Sequence, residues 1–197
     1  MVPGVILAAG DSTRMGFPKA LLLTPAGRLF VASIADTFAA AGITDIVVVT
    51  GRDHDRIADA LAHERLPVSP RVVRNPDPSR GQLSSLLLGI ESVPADAPAA
   101  VVTLVDVPLV TAETVRLVIS EWQRTNAPIV RPAIGERHGH PVVFDRCLFN
   151  ELRNAPLDAG AKAVVRAHAD DIVNVAVTDA GCLIDVDTPR DYEALGR

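Results

Sequence analysis

Short runs of β-forming residues alternate along this chain with segments of helical length and helical apolar spacing. Several runs are apolar almost throughout, which is typical of strands that are covered on both faces. The segments between them have the length of helical crossovers rather than of hairpins, which favours parallel connections. The predicted strands are 4–9, 45–50, 71–74, 100–105, 129–131 and 141–144. We therefore predict an α/β fold with three layers, in which helices flank a mostly parallel sheet.

The first crossover helix is predicted between the first two strands. Val31, Ile34, Phe38 and Ala41 recur at helical spacing, and Gly42 stands where a helix commonly ends. Three more helices are indicated by the apolar residues Ile57, Leu61, Leu83, Leu86, Leu87, Ile90, Val115, Val118, Ile119 and Trp122.

A last helix is expected near the end of the sequence. Thr188 can cap it, Pro189 suits its first position, and Asp191 stands where a capping box places an acid. We find no repeat of fixed period and no low-complexity linker. Residues 1–197 are therefore predicted to form a single domain.

Charge and hydropathy exclude several classes of function. The net charge is -5, and no block of Lys and Arg occurs, which argues against binding nucleic acid or an anionic membrane. The most apolar stretch, 99–110, is interrupted by Asp106 and Pro108 and is shorter than the roughly 20 residues that span a bilayer. The first apolar run leads directly into polar residues, unlike a secretory signal. We expect a cytoplasmic protein in which Cys147 and Cys182 are reduced thiols.

The loop after the first strand combines glycines with two cations. Gly10 and Gly16 allow a sharp turn and close approach of a ligand, while Arg14 and Lys19 supply positive charge. The spacing matches neither a Walker A loop nor a GxGxxG motif. Two hypotheses remain from these residues alone: a cradle for phosphate, or a surface loop with two solvated basic side chains.

The loop and four later motifs resemble one group of enzymes. The string Leu7-Ala8-Ala9-Gly10, with Ser12, Arg14-Met15-Gly16 and Lys19, resembles the signature of nucleotidyltransferases that activate phosphorylated acceptors with a nucleoside triphosphate. The later matches are Asn75-Pro76 with Gly81 and Ser84-Ser85, Asp106-Val107-Pro108, Gly139-His140-Pro141-Val142 and Asp185-Val186-Asp187-Thr188-Pro189. The chain resembles the molybdenum cofactor cytidylyltransferases, within the wider group of molybdenum cofactor guanylyltransferase-like proteins. The resemblance spans nearly the whole chain and implies a Rossmann-like nucleotidyltransferase fold.

The resemblance also implies roles for individual residues. Lys19, Arg14 and Asp106 are the expected catalytic residues, and Ala8-Ala9 favours CTP, because paired glycines accompany guanylyl transfer in that group. The expected nucleotide-binding residues are Leu7, Ala8, Ala9, Gly10, Arg14, Gly16, Lys19, Asn75, Gly81 and Ser84. Three positions depart from the family pattern, which commonly has Met after Gly81, Gln in place of Val107 and Arg in place of His138.

Two acids are candidate ligands for Mg²⁺. Asp106 follows a buried strand, at the edge of the sheet where ligands bind, and Asp187 is the second candidate, with Asp185 left open. Magnesium is usually held by one or two carboxylates together with substrate phosphates. The alternatives are a turn-forming role for Asp106 and helix capping for Asp185 and Asp187.

The remaining candidates carry weaker signals. Asn75, Gly81 and Ser84 suit contacts to a phosphate or base near a helix N-terminus, but equally suit turns and caps. His138 and His140 lack a third nearby metal ligand, and we assign His140 to the acceptor side.

The predicted reaction is Mg²⁺-dependent transfer of CMP from CTP to a phosphorylated acceptor such as molybdopterin, with release of pyrophosphate. One alternative is a nucleotidyltransferase acting on a sugar 1-phosphate. Another alternative is that the chain itself is a non-catalytic molybdenum cofactor maturation factor. For the enzyme, a molybdoenzyme or its maturation factor is an expected protein partner. Because no GxGxxG follows the first strand, an NAD-dependent enzyme is disfavoured.

Overall fold

The computed structural model describes residues 1–156 and 160–196 and places a twisted sheet between two layers of helices. The strands are β1 Gly4–Ala8, β2 Ile46–Thr50, β3 Arg71–Arg74, β4 Ala99–Leu104, β5 Ile129–Ile134, β6 Arg137–His138, β7 Val142–Asp145 and β8 Ile172–Ala176. The α-helices are α1 Phe30–Ala40, α2 His54–His63, α3 Gln82–Ser92, α4 Ala112–Thr125, α5 Phe149–Asn154, α6 Ala161–Ala167 and α7 Pro189–Glu193. The predicted α/β fold, with its mostly parallel sheet, is confirmed.

The strand order is β3-β2-β1-β4-β7-β5-β6, and β8 pairs with β5. The first four strands of this path are mutually parallel, and β5 and β8 are also parallel to each other. Strand β7 runs antiparallel to both β4 and β5. The chain reverses between β5 and β7 through the short β6, because a segment of this length cannot hold the crossover that a parallel pair requires.

The sequence pattern missed four elements: β6, β8, α5 and α6. Strand β8 is half-exposed, so its apolar signal is weaker than that of the buried strands. The two helices are short and carry few buried residues, and the same applies to the two-residue β6. Gly42, with a φ of 90°, follows α1, and Thr188 and Asp191 form the expected capping box at α7.

The core is divided by the sheet into two apolar layers. On one face, α1, α2 and α4 cover alternate strand residues such as Ile6 and Val48. On the other face, α3, α5 and α6 cover Val5, Leu7 and their neighbours. This alternation follows from the two-residue period of a strand, and it leaves the loops at the strand ends free to form a site.

Two further expectations concern the whole chain. Within the described residues, none of the helices is both long and apolar enough to cross a membrane. Cys147 is exposed and Cys182 is buried, and the two are not joined by a disulfide.

Candidate active site

A cleft of about 310 Å³ opens at the carboxyl ends of β1, β2 and β4. Its walls come from the loop after β1, from residues 51–53 after β2, from the N-terminal end of α3 and from residues 104–106. Asp187 closes the cleft from the segment before α7. Parallel strands bring their carboxyl ends together, which is why residues so distant in sequence meet here.

Ser12 shapes the loop after β1. It adopts a φ of 48°, its carbonyl accepts hydrogen bonds from the amides of Met15 and Gly16, and its hydroxyl accepts one from the amide of Lys19 at 3.2 Å. Three backbone amides of this loop therefore donate to Ser12. Gly16, with a φ of 70°, completes the turn and does not line the cleft.

Lys19 is the centre of the charge arrangement. Its Nζ lies 2.9 Å from Oδ2 of Asp106 and 2.5 Å from Oδ1 of Asp187, while Nη2 of Arg14 lies 3.0 Å from the other oxygen of Asp187. Burial alone would lower the pKa of Lys19, but the hydrogen bonds to both carboxylates outweigh it and raise that pKa above its ordinary value. The hydrogen bond from Lys19 also lowers the pKa of Asp187. The ammonium and this carboxylate therefore stay charged at neutral pH.

A third acid, Asp185, lies near this pair. Burial and the negative charge of Asp106 raise the pKa of Asp185. Oδ1 of Asp106 is buried and has no hydrogen-bond partner among the residues described. A carboxylate with one oxygen free of hydrogen bonds is a hard anionic donor, which fits a divalent cation such as Mg²⁺.

The acids do not enclose a metal by themselves. In the part of the chain that the structure describes, no group of three His, Cys, Asp or Glu side chains is placed to hold one. Magnesium commonly takes only one or two protein carboxylates and fills its other positions with water and substrate phosphates. Asp106 and Asp187 suit such a site, with the ligand completing the coordination.

Asn75 and Ser84 lie behind the cleft wall. The Asn75 amide nitrogen donates to the hydroxyls of Ser84 and Ser85, each at 2.9 Å, and its carbonyl oxygen accepts from the amide of Asp77. Of these side chains, Ser85 lines the cleft. Gly81 also lines it and holds a φ of 91° at the start of α3. Asn75 thus joins the loop to the helix and supports the wall from behind.

His140 faces a second, smaller cavity of about 140 Å³. The walls are mostly apolar, and Leu7, Gln82 and Leu104 border both this cavity and the main cleft. Burial lowers the pKa of His140, and its Nδ1 has no hydrogen-bond partner among the described residues. The imidazole is therefore neutral at pH 7 and sits between the acids and an apolar chamber.

The structure brings most of the predicted nucleotide-site residues to one place. Those that line the main cleft are Leu7, Ala8, Ala9, Gly10, Arg14, Lys19, Gly81, Asp106 and Asp187. Sequence reasoning missed Arg52, Asp53 and Gln82, which also line it. Nε of Arg52 lies 3.4 Å from Asp11 at the cleft edge. Arg52 has no motif, and its sequence signal is only its position just after β2, since parallel strands end at the same edge of the sheet.

Residues 4–172 match the family described as the MobA-like NTP transferase domain. The chain belongs to this family. The family predicted from the motifs is thereby confirmed at the level of a MobA-like nucleotidyltransferase.

Proteins similar to this chain are named for different activities. The chain is 30% identical to a probable molybdenum cofactor guanylyltransferase of Mycobacterium avium, over 98% of this chain and 94% of that protein. It is also 30% identical to a nicotine blue oxidoreductase of Paenarthrobacter nicotinovorans, over 95% and 92% respectively. A bifunctional protein GlmU of Agrobacterium fabrum is 35% identical over 56% of this chain, which spans only 24% of that protein.

Solved structures agree with the fold. Rv0371c from Mycobacterium tuberculosis superposes with a TM-score of 0.80 at 28% identity, covering 99% of this chain and 97% of that one. A second structure of Rv0371c, in complex with manganese, has a TM-score of 0.74 at 28% identity and covers 98% and 97%. A structure that superposes on nearly the whole chain has therefore been determined in complex with manganese.

Proposed function

We propose that this protein transfers CMP from CTP to the terminal phosphate of a molybdopterin-like acceptor and releases pyrophosphate. The observation that carries the proposal is the position of Lys19, whose ammonium bridges Asp106 and Asp187 at the floor of the cleft. Cations beside paired carboxylates suit a polyphosphate together with a divalent metal. Membership of the MobA-like family supports the same class of reaction.

The chemistry needs no covalent enzyme intermediate. A phosphate monoester with a second pKa near 6 is largely ionised at neutral pH, so its oxygen can attack the α-phosphorus without a strong base. The new bond joins that oxygen to the α-phosphorus, and the bond to the β-phosphate oxygen breaks. Pyrophosphate leaves with the electron pair of the broken bond.

The residues of the cleft position the reactants and neutralise charge. Lys19 and Arg14 would offset the negative charge that accumulates on the triphosphate and on the leaving pyrophosphate. Arg52, exposed at the cleft edge, is available to a phosphate once it leaves Asp11. Asp106 and Asp187 would hold Mg²⁺, which supplies charge stabilisation to the transferring phosphoryl group.

Two cavities suit two reactants. Ala8 and Ala9 line the main cleft, and alanines would leave less room there than glycines, which favours a pyrimidine over a purine. The adjoining apolar cavity, bordered by His140 and Arg131, suits the ring system of an acceptor whose phosphate points toward the acids. Leu7, Gln82 and Leu104 form the shared wall.

The decisive experiment measures pyrophosphate release from CTP, GTP, ATP and UTP, each with and without molybdopterin and with Mg²⁺ present. We expect release only with acceptor, and fastest with CTP. Release with a sugar 1-phosphate but not with molybdopterin would replace the acceptor. Nucleotide binding without release under any condition would favour a non-catalytic maturation factor.

A redox function is the second candidate. Its support is the near full-length similarity to a protein named nicotine blue oxidoreductase, together with the apolar cavity, which would suit a heterocycle. Oxidation of NADH or NADPH by the purified protein, measured with a quinonoid heterocycle in place of the phosphorylated acceptor, tests it. Turnover there without pyrophosphate release from any triphosphate would overturn the transferase proposal.

A further inference from the structure

Asp179 lies outside the cleft, and its carboxylate accepts four hydrogen bonds. One carboxylate oxygen accepts from the amide of Thr111 at 2.8 Å, from its hydroxyl at 2.9 Å and from the hydroxyl of Thr114 at 2.7 Å. The other oxygen accepts from the amide of Gly181 at 2.9 Å. Thr111 is the N-cap of α4, so the carboxylate also lies at the positive end of that helix. Burial alone would raise the pKa of Asp179, but these bonds hold it below its usual value.

The turn that follows Asp179 is wedged between two other backbones. A Cβ added to Gly181 would lie 2.2 Å from the carbonyl oxygen of Leu109. A Cβ added to Gly139 would lie 1.9 Å from the carbonyl oxygen of Cys182, which also accepts a 3.0 Å hydrogen bond from the amide of His140. These contacts leave no room for the turn to shift toward either neighbour.

The same segment then enters the cleft. The amide of Val186 donates to the carbonyl of Asp106 at 2.9 Å, and the Val186 side chain is fully buried. Asp185 and Asp187 flank this fixed residue. Through Val186, the backbone that carries Asp185 and Asp187 is hydrogen-bonded to the backbone of Asp106. Asp179 holds the same stretch of chain a few residues earlier.

We propose that Asp179 is a positioning residue that fixes segment 184–188 against Asp106 and so sets the separation of the cleft carboxylates. The metal-binding consequence rests on the proposed function, whereas the anchoring itself does not. Removing a residue that orients metal ligands without touching the metal typically lowers metal affinity or activity by about 10- to 100-fold.

The test variant is Asp179→Asn. Asparagine keeps one acceptor oxygen, and its NH₂ group must face the amide of either Gly181 or Thr111, both of which are donors. Thr114→Val is a milder variant that removes one hydroxyl donor at constant shape, and Thr114→Ser restores that hydroxyl. If Asp179→Asn fails to fold, this second pair carries the test.

Asp145→Asn is the matched control. Asp145 accepts hydrogen bonds from the indole nitrogen of Trp122 at 2.9 Å and from the amide of Cys147 at 2.8 Å. It ties the last turns of α4 to the sheet, as Asp179 ties the first turn, but it pairs with Ala99 at the opposite end of β4 from Asp106. Asp145→Asn therefore shows how much thermal stability is lost when a structural carboxylate is removed.

Two readouts separate positioning from general stability. Amide hydrogen exchange of residues 184–188 should become about tenfold or more faster in Asp179→Asn and intermediate in Thr114→Val, with the Ser variant and Asp145→Asn like wild type. Mn²⁺ binding, followed by the EPR signal of the free ion with a non-hydrolysable CTP analogue present, should weaken by about tenfold in the same variants.

Unchanged exchange at 184–188 in Asp179→Asn, together with a thermal destabilisation like that of Asp145→Asn, would overturn the proposal. Faster exchange with unchanged Mn²⁺ affinity would overturn its metal-binding consequence. If the wild type neither binds Mn²⁺ nor releases pyrophosphate, the proposed function fails, and the exchange comparison still decides whether Asp179 anchors the segment.

Discussion

Two groups of carboxylates lie close together in this fold and differ in how completely they are hydrogen-bonded. Asp179 and Asp191 accept bonds from neighbouring amides and threonine hydroxyls, and each has its pKa held below the usual value. Among the acids near Lys19, Asp185 has its pKa raised, and Asp106 keeps a buried oxygen without a described partner. Asp179 and Asp191 are hydrogen-bonded by the protein alone. Asp106 accepts from Lys19 through one oxygen, and its other oxygen is left without a described partner.

This difference separates carboxylates with a structural role from those that are candidates for binding a ligand. A carboxylate that is fully bonded within the protein stabilises a turn or a helix end. A buried carboxylate oxygen without a partner costs free energy, and such a cost persists in natural proteins mainly at sites that bind something. Substitutions in the two groups should therefore separate activity from stability.

The largest effect is expected from Asp106→Asn. The change replaces an anionic donor with a neutral amide at the bottom of the cleft, and we expect turnover to fall by roughly 1000-fold, corresponding to several kcal/mol of lost charge stabilisation. The fold should survive, because an amide has the shape of the carboxylate and its oxygen can still accept the hydrogen bond from Lys19. Pyrophosphate release is measured across a Mg²⁺ titration beside thermal unfolding, with Asp191→Asn as the control that should lower stability more than activity. Near-normal turnover at limiting Mg²⁺ would contradict the assignment of Asp106.

Lys19→Ala should have the next largest effect. It removes the ammonium between Asp106 and Asp187, leaving two carboxylates in repulsion and the triphosphate without its buried cation. We expect kcat/KM for the nucleotide to fall by about 100-fold while binding of the acceptor alone is unchanged. Lys19→Arg should restore little, since a planar guanidinium does not fit a position that a compact ammonium fills between two acids.

Calorimetric titration of acceptor and of nucleotide analogue into the same variant checks this separation. Equal loss of both affinities would show that Lys19 supports the fold of the whole cleft rather than the nucleotide side. Because the pKa of Lys19 is raised, the wild-type ammonium stays charged throughout the neutral range, and its effect should not titrate there.

The sequence predicted those residues of the candidate site that stand in recognisable motifs. The loop from Leu7 to Lys19 carries its glycines and cations in a single motif, and Asp106 follows a strongly apolar strand. The motifs also identified Asp187, but they could not show that Lys19 joins it to Asp106. That contact depends on a long-range pairing of segments, which local spacing does not encode.

The same limit explains the rest of what was missed. Arg52 has no motif of its own and becomes part of the cleft only because β2 ends beside β1. Asn75 has the residue type of a ligand contact, yet the structure uses its amide to bond Ser84 and Ser85. Side-chain amides satisfy internal donors and acceptors as readily as ligands do, so residue type alone does not separate the two roles.

A smaller effect is expected for base choice. Changing Ala8 and Ala9 together to glycine removes two methyl groups from the cleft wall and should raise the ratio of GTP to CTP turnover several-fold. Full conversion is not expected, because the other walls of the cleft remain. The measurement is pyrophosphate release with each triphosphate at saturating acceptor, with Ala20→Gly as a control at a buried position that also borders the cleft. A wild type that prefers GTP, or an unchanged ratio in the double variant, would show that these alanines do not select the base.

The smallest expected effect is a pH dependence of folding stability that comes from Asp179. The pKa of Asp179 is lower in the folded protein than in the unfolded chain, so its stabilising contribution is complete above the unfolded value of about 3.9 and is lost as pH falls through the folded pKa. Asp179→Asn lacks this contribution at every pH. The gap in melting temperature between wild type and variant should therefore be widest near pH 7 and should narrow toward pH 3. The pKa of Asp185 is shifted in the opposite direction, so the wild type loses stability relative to Asp185→Asn as pH rises above the unfolded value of about 3.9 in the absence of metal. Parallel gaps for both variants across the whole range would mean that the two groups of carboxylates do not differ in the way the structure indicates.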